Sequence, residues 1–225
     1  MGPHPCQLLV ITALLTFGFV VVTAQGPQVY TLCEPNQSTT MDLTATSTPF
    51  LIRSPLFPGP YPGNLNCQLV LQSAFEPLVL TFKVSSFDVE SEGFCNFDSL
   101  CVHGAKLCGW WPAGKAFQYI LPANRAFTIG FRTDLTITSG GFNILVTSDL
   151  ALTGQEIFQP LGIGSNSDQL RYVRVVYPSV PPTPDYCATG TVDAFSKPKG
   201  DTDPTELTTT AEKRNWAKRR TSHYN

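Results

Sequence analysis

The sequence predicts an all-β protein: an antiparallel β-sandwich with an irregular N-terminal lead-in and a largely disordered C-terminal extension. Three observations predict it. The 225 residues hold 19 Pro, 17 Gly and 15 Phe but only 2 Met, a composition rich in turn and strand formers. Between residues 50 and 148, short apolar runs alternate with turn signals, the spacing of a sandwich or barrel. Phe127, Ile129 and Phe131 alternate with Thr128, Gly130 and Arg132, the period of two expected when one strand face meets a core and the other meets solvent.

Residues 1–24 read as a secretory signal peptide. Residues 8–22 are an apolar stretch broken only by Thr12 and Thr16, and Val22-Thr23-Ala24 supplies small residues for cleavage before Gln25, although the preceding MGPHPCQ lacks Lys and Arg. At about 1.5 Å per residue that stretch covers about 22 Å, short of a bilayer core of about 30 Å. No later stretch is long and apolar enough to span a membrane. The expected location is therefore secreted and extracellular.

Cleavage removes Cys6 and leaves Cys33, Cys67, Cys95, Cys101, Cys108 and Cys187. An even set in an oxidising compartment predicts disulfides, with the pairing left open. The absence of a CxxC pair argues against zinc and against thioredoxin-type redox chemistry. Asn36-Gln37-Ser38 is an N-glycosylation sequon in a polar, Thr-rich stretch.

Along the chain, residues 25–49 are a Thr/Ser-rich lead-in expected to be mostly irregular. Residues 50–148 form the sandwich, with strands expected at 68–72, 78–84, 126–132 and 142–146. Residues 149–196 are an extension with one possible strand at 170–177, after which Pro178, Pro181, Pro182 and Pro184 stop regular structure. Residues 197–225 are acidic and Thr-rich, then basic, with too little apolar content to offset the entropy of ordering.

A net charge of −2 gives no overall pull toward nucleic acid. Catalysis lacks residues: after processing only His103 and His223 remain, and no GxSxG elbow, HExxH, P-loop or dinucleotide fingerprint accompanies them. The chain is not expected to be an enzyme.

An ordered set of motifs runs through residues 50–146: Ser54-Pro55, Phe57-Pro58 and Tyr61-Pro62, then Cys67, the run LVLTF at 78–82, and Phe87-Asp88-Val89-Glu90. It continues with Cys95-Asn96-Phe97-Asp98, Cys108-Gly109, FTIGF at 127–131, Arg132-Thr133-Asp134 and Gly140-Gly141-Phe142. Together they resemble a CUB domain, the extracellular β-sandwich module of complement proteases, developmental metalloproteases and spermadhesins. Departures are Leu69 where an aromatic is usual, a short hairpin between Cys95 and Cys108, a distant Cys33, and the additional Cys101 and Cys187.

The resemblance implies bonds Cys33–Cys67 and Cys95–Cys108, leaving Cys101 for Cys187. It also implies a calcium site. Glu90, Asp98 and Asp134 match the family's carboxylate ligands, the Thr136 backbone carbonyl matches a further ligand, and Tyr61 matches the supporting tyrosine. Calcium suits such a set because it takes several hard oxygens and relieves the repulsion between acids brought together. The family's site often receives a Lys or Arg from a protein partner, which a fixed carboxylate accepts at low entropic cost. Asp88 and Glu92 flank it and read as ordinary solvated acids.

Trp110 and Trp111 point opposite ways if they lie on a strand, so one belongs to the core and the other is a candidate partner contact. Lys213, Arg214, Lys218, Arg219 and Arg220 form a basic tail with polyanion-binding chemistry. The expected function is calcium-assisted binding of an extracellular protein by a secreted, non-catalytic chain. Two alternatives stay open: a matrix, venom or seminal component retained by polyanions through the basic tail, and an accessory chain of an extracellular protease.

Overall fold

The computed structural model describes residues 26–188. The signal segment 1–24, the disordered tail expected at 197–225 and the five basic residues at 213–220 lie outside them. Among the described residues the secondary structure is all β, with no helix.

Two six-stranded sheets face each other. The first runs β1 (Gln28–Thr31), β3 (Phe50–Arg53), β11 (Gly141–Leu150), β5 (Leu78–Val89) and β8 (Gly109–Trp111), with β9 (Ala116–Leu121) also paired to β5. The second runs β13 (Ile163–Gly164), β7 (Ala105–Leu107), β6 (Ser99–Val102), β10 (Arg125–Arg132), β4 (Asn66–Ser73) and β2 (Thr40–Asp42). The central pairs are antiparallel, whereas β1–β3, β2–β4 and β13–β7 are parallel. The sheets are thus mixed, with parallel pairs at their edges.

The alternation read in β10 holds: Phe127, Ile129 and Phe131 are buried. Their rings and branches meet the other sheet through Phe82, which stacks on Phe127 with centroids 5.6 Å apart. Phe131 meets both Phe142 and Tyr61 edge-on, at 5.0 and 5.1 Å, geometries favoured by the ring quadrupoles. These contacts carry the buried Tyr61 ring to the end of the sandwich where its hydroxyl is used. Gly141 belongs at that end for a steric reason. Its φ is +83°, and a Cβ there would overlap the Ser54 hydroxyl, which itself accepts the Phe142 N–H at 3.0 Å.

Two segments are more regular than expected. The lead-in contributes the edge strands β1 and β2, and Cys33 is bonded to Cys67. The extension contributes three strands rather than one: β13, and the antiparallel pair β12 (Glu156–Leu161) and β14 (Arg171–Val176). Its apolar residues explain why. Ile157 and Val175 pack with Val79, Ile120 and Ala151 into a second small core, so β5 and β9 are covered on both faces. Pro160 does not prevent β12, because β12 has a partner on one side only. The extension also bonds to the edge of the second sheet: Lys106 N–H donates to Gly162 O at 3.0 Å and Cys108 N–H to Gly164 O at 3.1 Å. Cys101–Cys187 joins its far end, and Cys95–Cys108 closes the short hairpin.

Candidate metal centre

Three loops meet beyond the C-terminal end of β5: residues 54–65, which carry Tyr61, the β5–β6 connection at 90–98, and the β10–β11 connection at 133–140. Glu90 directly follows that strand, Asp98 directly precedes β6, and Asp134 follows β10 by two residues. Carboxylate oxygens of Glu90, Asp98 and Asp134 lie within 4.8 Å of one another. Sequence separations of eight and 36 residues are brought together because β5, β6 and β10 all start or end here.

Hydrogen bonds hold the group. Tyr61 Oη–H donates to Asp98 Oδ2 at 2.6 Å and accepts the Glu90 N–H at 3.0 Å. Asp134 N–H donates to Asp98 Oδ1 at 2.8 Å, so both oxygens of this buried carboxylate are engaged. Thr136 fixes Asp134 in turn, its N–H and hydroxyl donating to Asp134 Oδ1 at 2.8 and 3.0 Å. Glu90 Oε2 is buried and has no hydrogen-bond partner, an arrangement that costs free energy for a carboxylate unless a cation answers it.

The electrostatics reflect the crowding. Burial, then the charges of Asp98, Asp134 and Glu92, push the Glu90 carboxyl above the ordinary 4.5. Burial also raises Asp98 above 3.8, outweighing the hydrogen bonds from Tyr61 and Asp134 that oppose it. Desolvation, reinforced by the bond to Asp98, holds the Tyr61 phenol well above its usual range, so it is a permanent donor at physiological pH. An all-oxygen set of clustered carboxylates with an unanswered buried oxygen fits a hard divalent cation.

Asp88 and Glu92 are not plain solvated acids. Asp88 Oδ2 accepts the Gly140 N–H at 3.0 Å, and Glu92 Oε2 accepts the Asn96 N–H at 2.8 Å. Both are partly buried and brace the loops that present the cluster. Their signal in the sequence was weak, since a short acid beside a Gly-rich or Asn-containing turn is common. Trp111 is buried, its indole N–H donating to Cys108 O at 2.8 Å, while Trp110 is 64% exposed. Asn36 is exposed. His103 lies apart from the cluster, its ring stacked on Phe127 with centroids 4.5 Å apart.

Comparison with known proteins places this architecture. Human cubilin is 28% identical over 123 residues, covering 52% of this chain and 3% of cubilin. The complement C1s subcomponent of rat is 39% identical over 107 residues, covering 44% of this chain and 15% of that protein. The chain therefore spans a small fraction of the length of these relatives. Among solved structures, the full extracellular region of zebrafish Gpr126/Adgrg6 aligns with a TM-score of 0.43 and 22% identity, covering 55% of this chain and 16% of that one. The family model of the CUB domain matches residues 41–145, which include all three acids, Tyr61 and both sheets' central strands; the CUB resemblance carried by the motifs of residues 50–146 is shown over this segment.

Proposed function

We propose that this chain is a secreted, non-catalytic binding protein whose CUB domain holds one calcium ion and uses it to capture an extracellular protein. The observation that carries the reading is the convergence of Glu90, Asp98 and Asp134 within 4.8 Å with Glu90 Oε2 buried and unanswered. Glu90, Asp98 and Asp134 supply carboxylate ligands, and the Thr136 carbonyl a further oxygen. Tyr61 orients Asp98 from behind. The ion supplies fixed positive charge that offsets the mutual repulsion of the acids and stiffens the three loops.

Three carboxylates outweigh the charge of one divalent cation, so the occupied site keeps a residual negative charge. A Lys or Arg of the partner answers it, meeting carboxylates already held in place and so losing little entropy. Trp110 stands beside this site as an aromatic contact. Asn36, exposed on the lead-in, carries the glycan. Secretion follows cleavage of the leader before Gln25, which N-terminal sequencing checks.

Affinity capture from native extracellular fluid, with and without a calcium chelator, tests the reading, together with melting of the purified protein under the same two conditions. Calcium should raise the melting temperature and permit capture. Melting that ignores both calcium and chelator would show the acids to be an unliganded loop cluster and end the calcium-assisted mechanism.

A further inference from the structure

The loops at this end, with the neighbouring strand β8, also turn large apolar side chains to solvent. Leu56 is 72% exposed, Phe94 54%, Phe97 48%, Trp110 64%, Leu135 79% and Ile137 61%. Their positions are tied to the acidic centre. Phe97 immediately precedes Asp98 and Leu135 immediately follows Asp134. Leu56 lies in the turn that leads to Tyr61. Trp110 is the cross-strand partner of Asp88, and the N–H of its neighbour Gly109 donates to the Glu90 carbonyl at 3.4 Å. The first and third loops touch, since a Cβ on Gly63 would lie 3.5 Å from the Leu135 Cα. Single exposed apolar residues need no explanation, but several gathered round one charged centre mark an interaction surface.

Charge selects the occupant. The segments 54–65, 88–98 and 133–141 contain Asp88, Glu90, Glu92, Asp98 and Asp134 and neither Lys nor Arg. One divalent cation leaves these three segments net negative, with Arg53 and Arg132 at their margins and Lys106 near Glu92. An anionic lipid surface repels such a tip, because membrane docking draws on basic residues near the headgroups. A cation surrounded by apolar side chains complements it in both respects.

Resting on the calcium reading above, we propose that the apolar collar selects its partner by the residues beside the cation. The epitope is a Lys or Arg flanked by large aliphatic or aromatic side chains, the cation meeting the acids while its neighbours cover Phe97, Trp110 and Leu135. A Lys in a polar segment fills the centre and leaves the collar wet. Covering even one large apolar side chain contributes about tenfold or more in affinity, so the flanks decide which basic residue is captured.

The test pans the full-length secreted protein, in calcium, against a peptide library with a fixed central Lys and randomised flanks. Recovered peptides should be enriched in Leu, Ile, Phe or Trp beside the Lys. They should bind Trp110→Ser and Leu135→Ser at least about tenfold more weakly than wild type, while both variants keep the calcium-induced rise in melting temperature that shows the fold and the ion site intact. Flanks without apolar enrichment overturn the proposal, as does undiminished binding by both variants. So does calcium-dependent binding to phosphatidylcholine–phosphatidylserine vesicles in preference to the peptides. Failure of the calcium reading looks different: wild-type melting is then indifferent to chelator, and the collar stands or falls on the flanking residues alone.

Discussion

The two ends of β6 make opposite use of polar groups, one partly buried and one buried. At one end His103 stacks on Phe127 and meets Tyr119 edge-on, with centroids 5.9 Å apart. The chain closes over it: Tyr186 N–H donates to Gly104 O at 2.9 Å, and Cys101–Cys187 lies beside it. At the other end Asp98 is hydrogen-bonded on both oxygens, yet it shares its space with two more acids and a buried oxygen that nothing answers. One end is completed by the protein's own extension. The other keeps three acids together with one buried carboxylate oxygen unpartnered, and large apolar side chains face outward beside it. The difference is why the proposed binding is assigned to the end where the acids crowd one another.

Removing the closure should have the largest effect. Cys101 and Cys187 are 86 residues apart, and closing a loop of that length stabilises by about 4.5 kcal/mol in the chain-entropy model. The double replacement Cys101→Ala, Cys187→Ala should lower denaturant stability by about that amount and leave the calcium-induced increment unchanged. A loss below about 1 kcal/mol would mean that the extension is held by its apolar contacts alone.

The open end should respond next. For a dissociation constant of about 0.1 mM and about 2 mM calcium, linkage stabilises the fold by about 1.8 kcal/mol. In a domain of this size that raises the melting temperature by about 5 °C. Asp134→Ala should erase this increment and partner capture together, measured by scanning calorimetry and by pull-down in calcium. An increment surviving in this variant would remove Asp134 from the ligand set.

Acid should act on the closed end with a predictable sign. Burial lowers the His103 pKa below 6.5, outweighing the opposing charge of Asp185. The unfolded chain therefore takes up the proton first. The His103 contribution is complete above pH 6.5 and is lost as pH falls from 6.5 through the lowered value. His103→Phe keeps a ring over Phe127 and removes the titration. Measured in chelator by denaturant unfolding, the variant should lose less stability than wild type between neutral and mildly acidic pH. Parallel curves would mean that His103 takes up the proton equally in the folded and the unfolded chain, with no lowering by burial.

The smallest effect belongs to Asp88→Asn. The amide oxygen can still accept the Gly140 N–H, so the loop is retained and only one negative charge beside the centre is lost. Calcium affinity measured by titration calorimetry should fall about threefold or less. A complete loss would make Asp88 a ligand.

Much of the central sandwich was legible because its signals are local. Phe127, Ile129 and Phe131 announce a one-sided strand through their own spacing. The lead-in and the extension were less legible for a physical reason. β1 and β2 are short parallel edge strands whose partners are distant in sequence, and nothing within three or four residues encodes a parallel neighbour. β12 contains Pro160, which weakens a strand reading until the single-sided pairing with β14 is known. Val79 and Ile120 did carry a trace of the extension, since each adds an apolar residue to a strand face that would otherwise meet solvent.

Sequence by itself determined the β class, the secretory leader as an expectation, the even cysteine set and the inventory of acids. Those are properties of composition and of neighbours along the chain. Only the tertiary structure decided that Glu90, Asp98 and Asp134 share one space, that Glu90 Oε2 is left without a partner, that Trp110 faces out while Trp111 faces in, and that Tyr186 bonds to Gly104 beside His103 from some eighty positions later. Convergence, burial and the pKa shifts they cause depend on which strands end at the same edge of the sandwich. That is settled by long-range pairing and core packing, which no local stretch of residues contains.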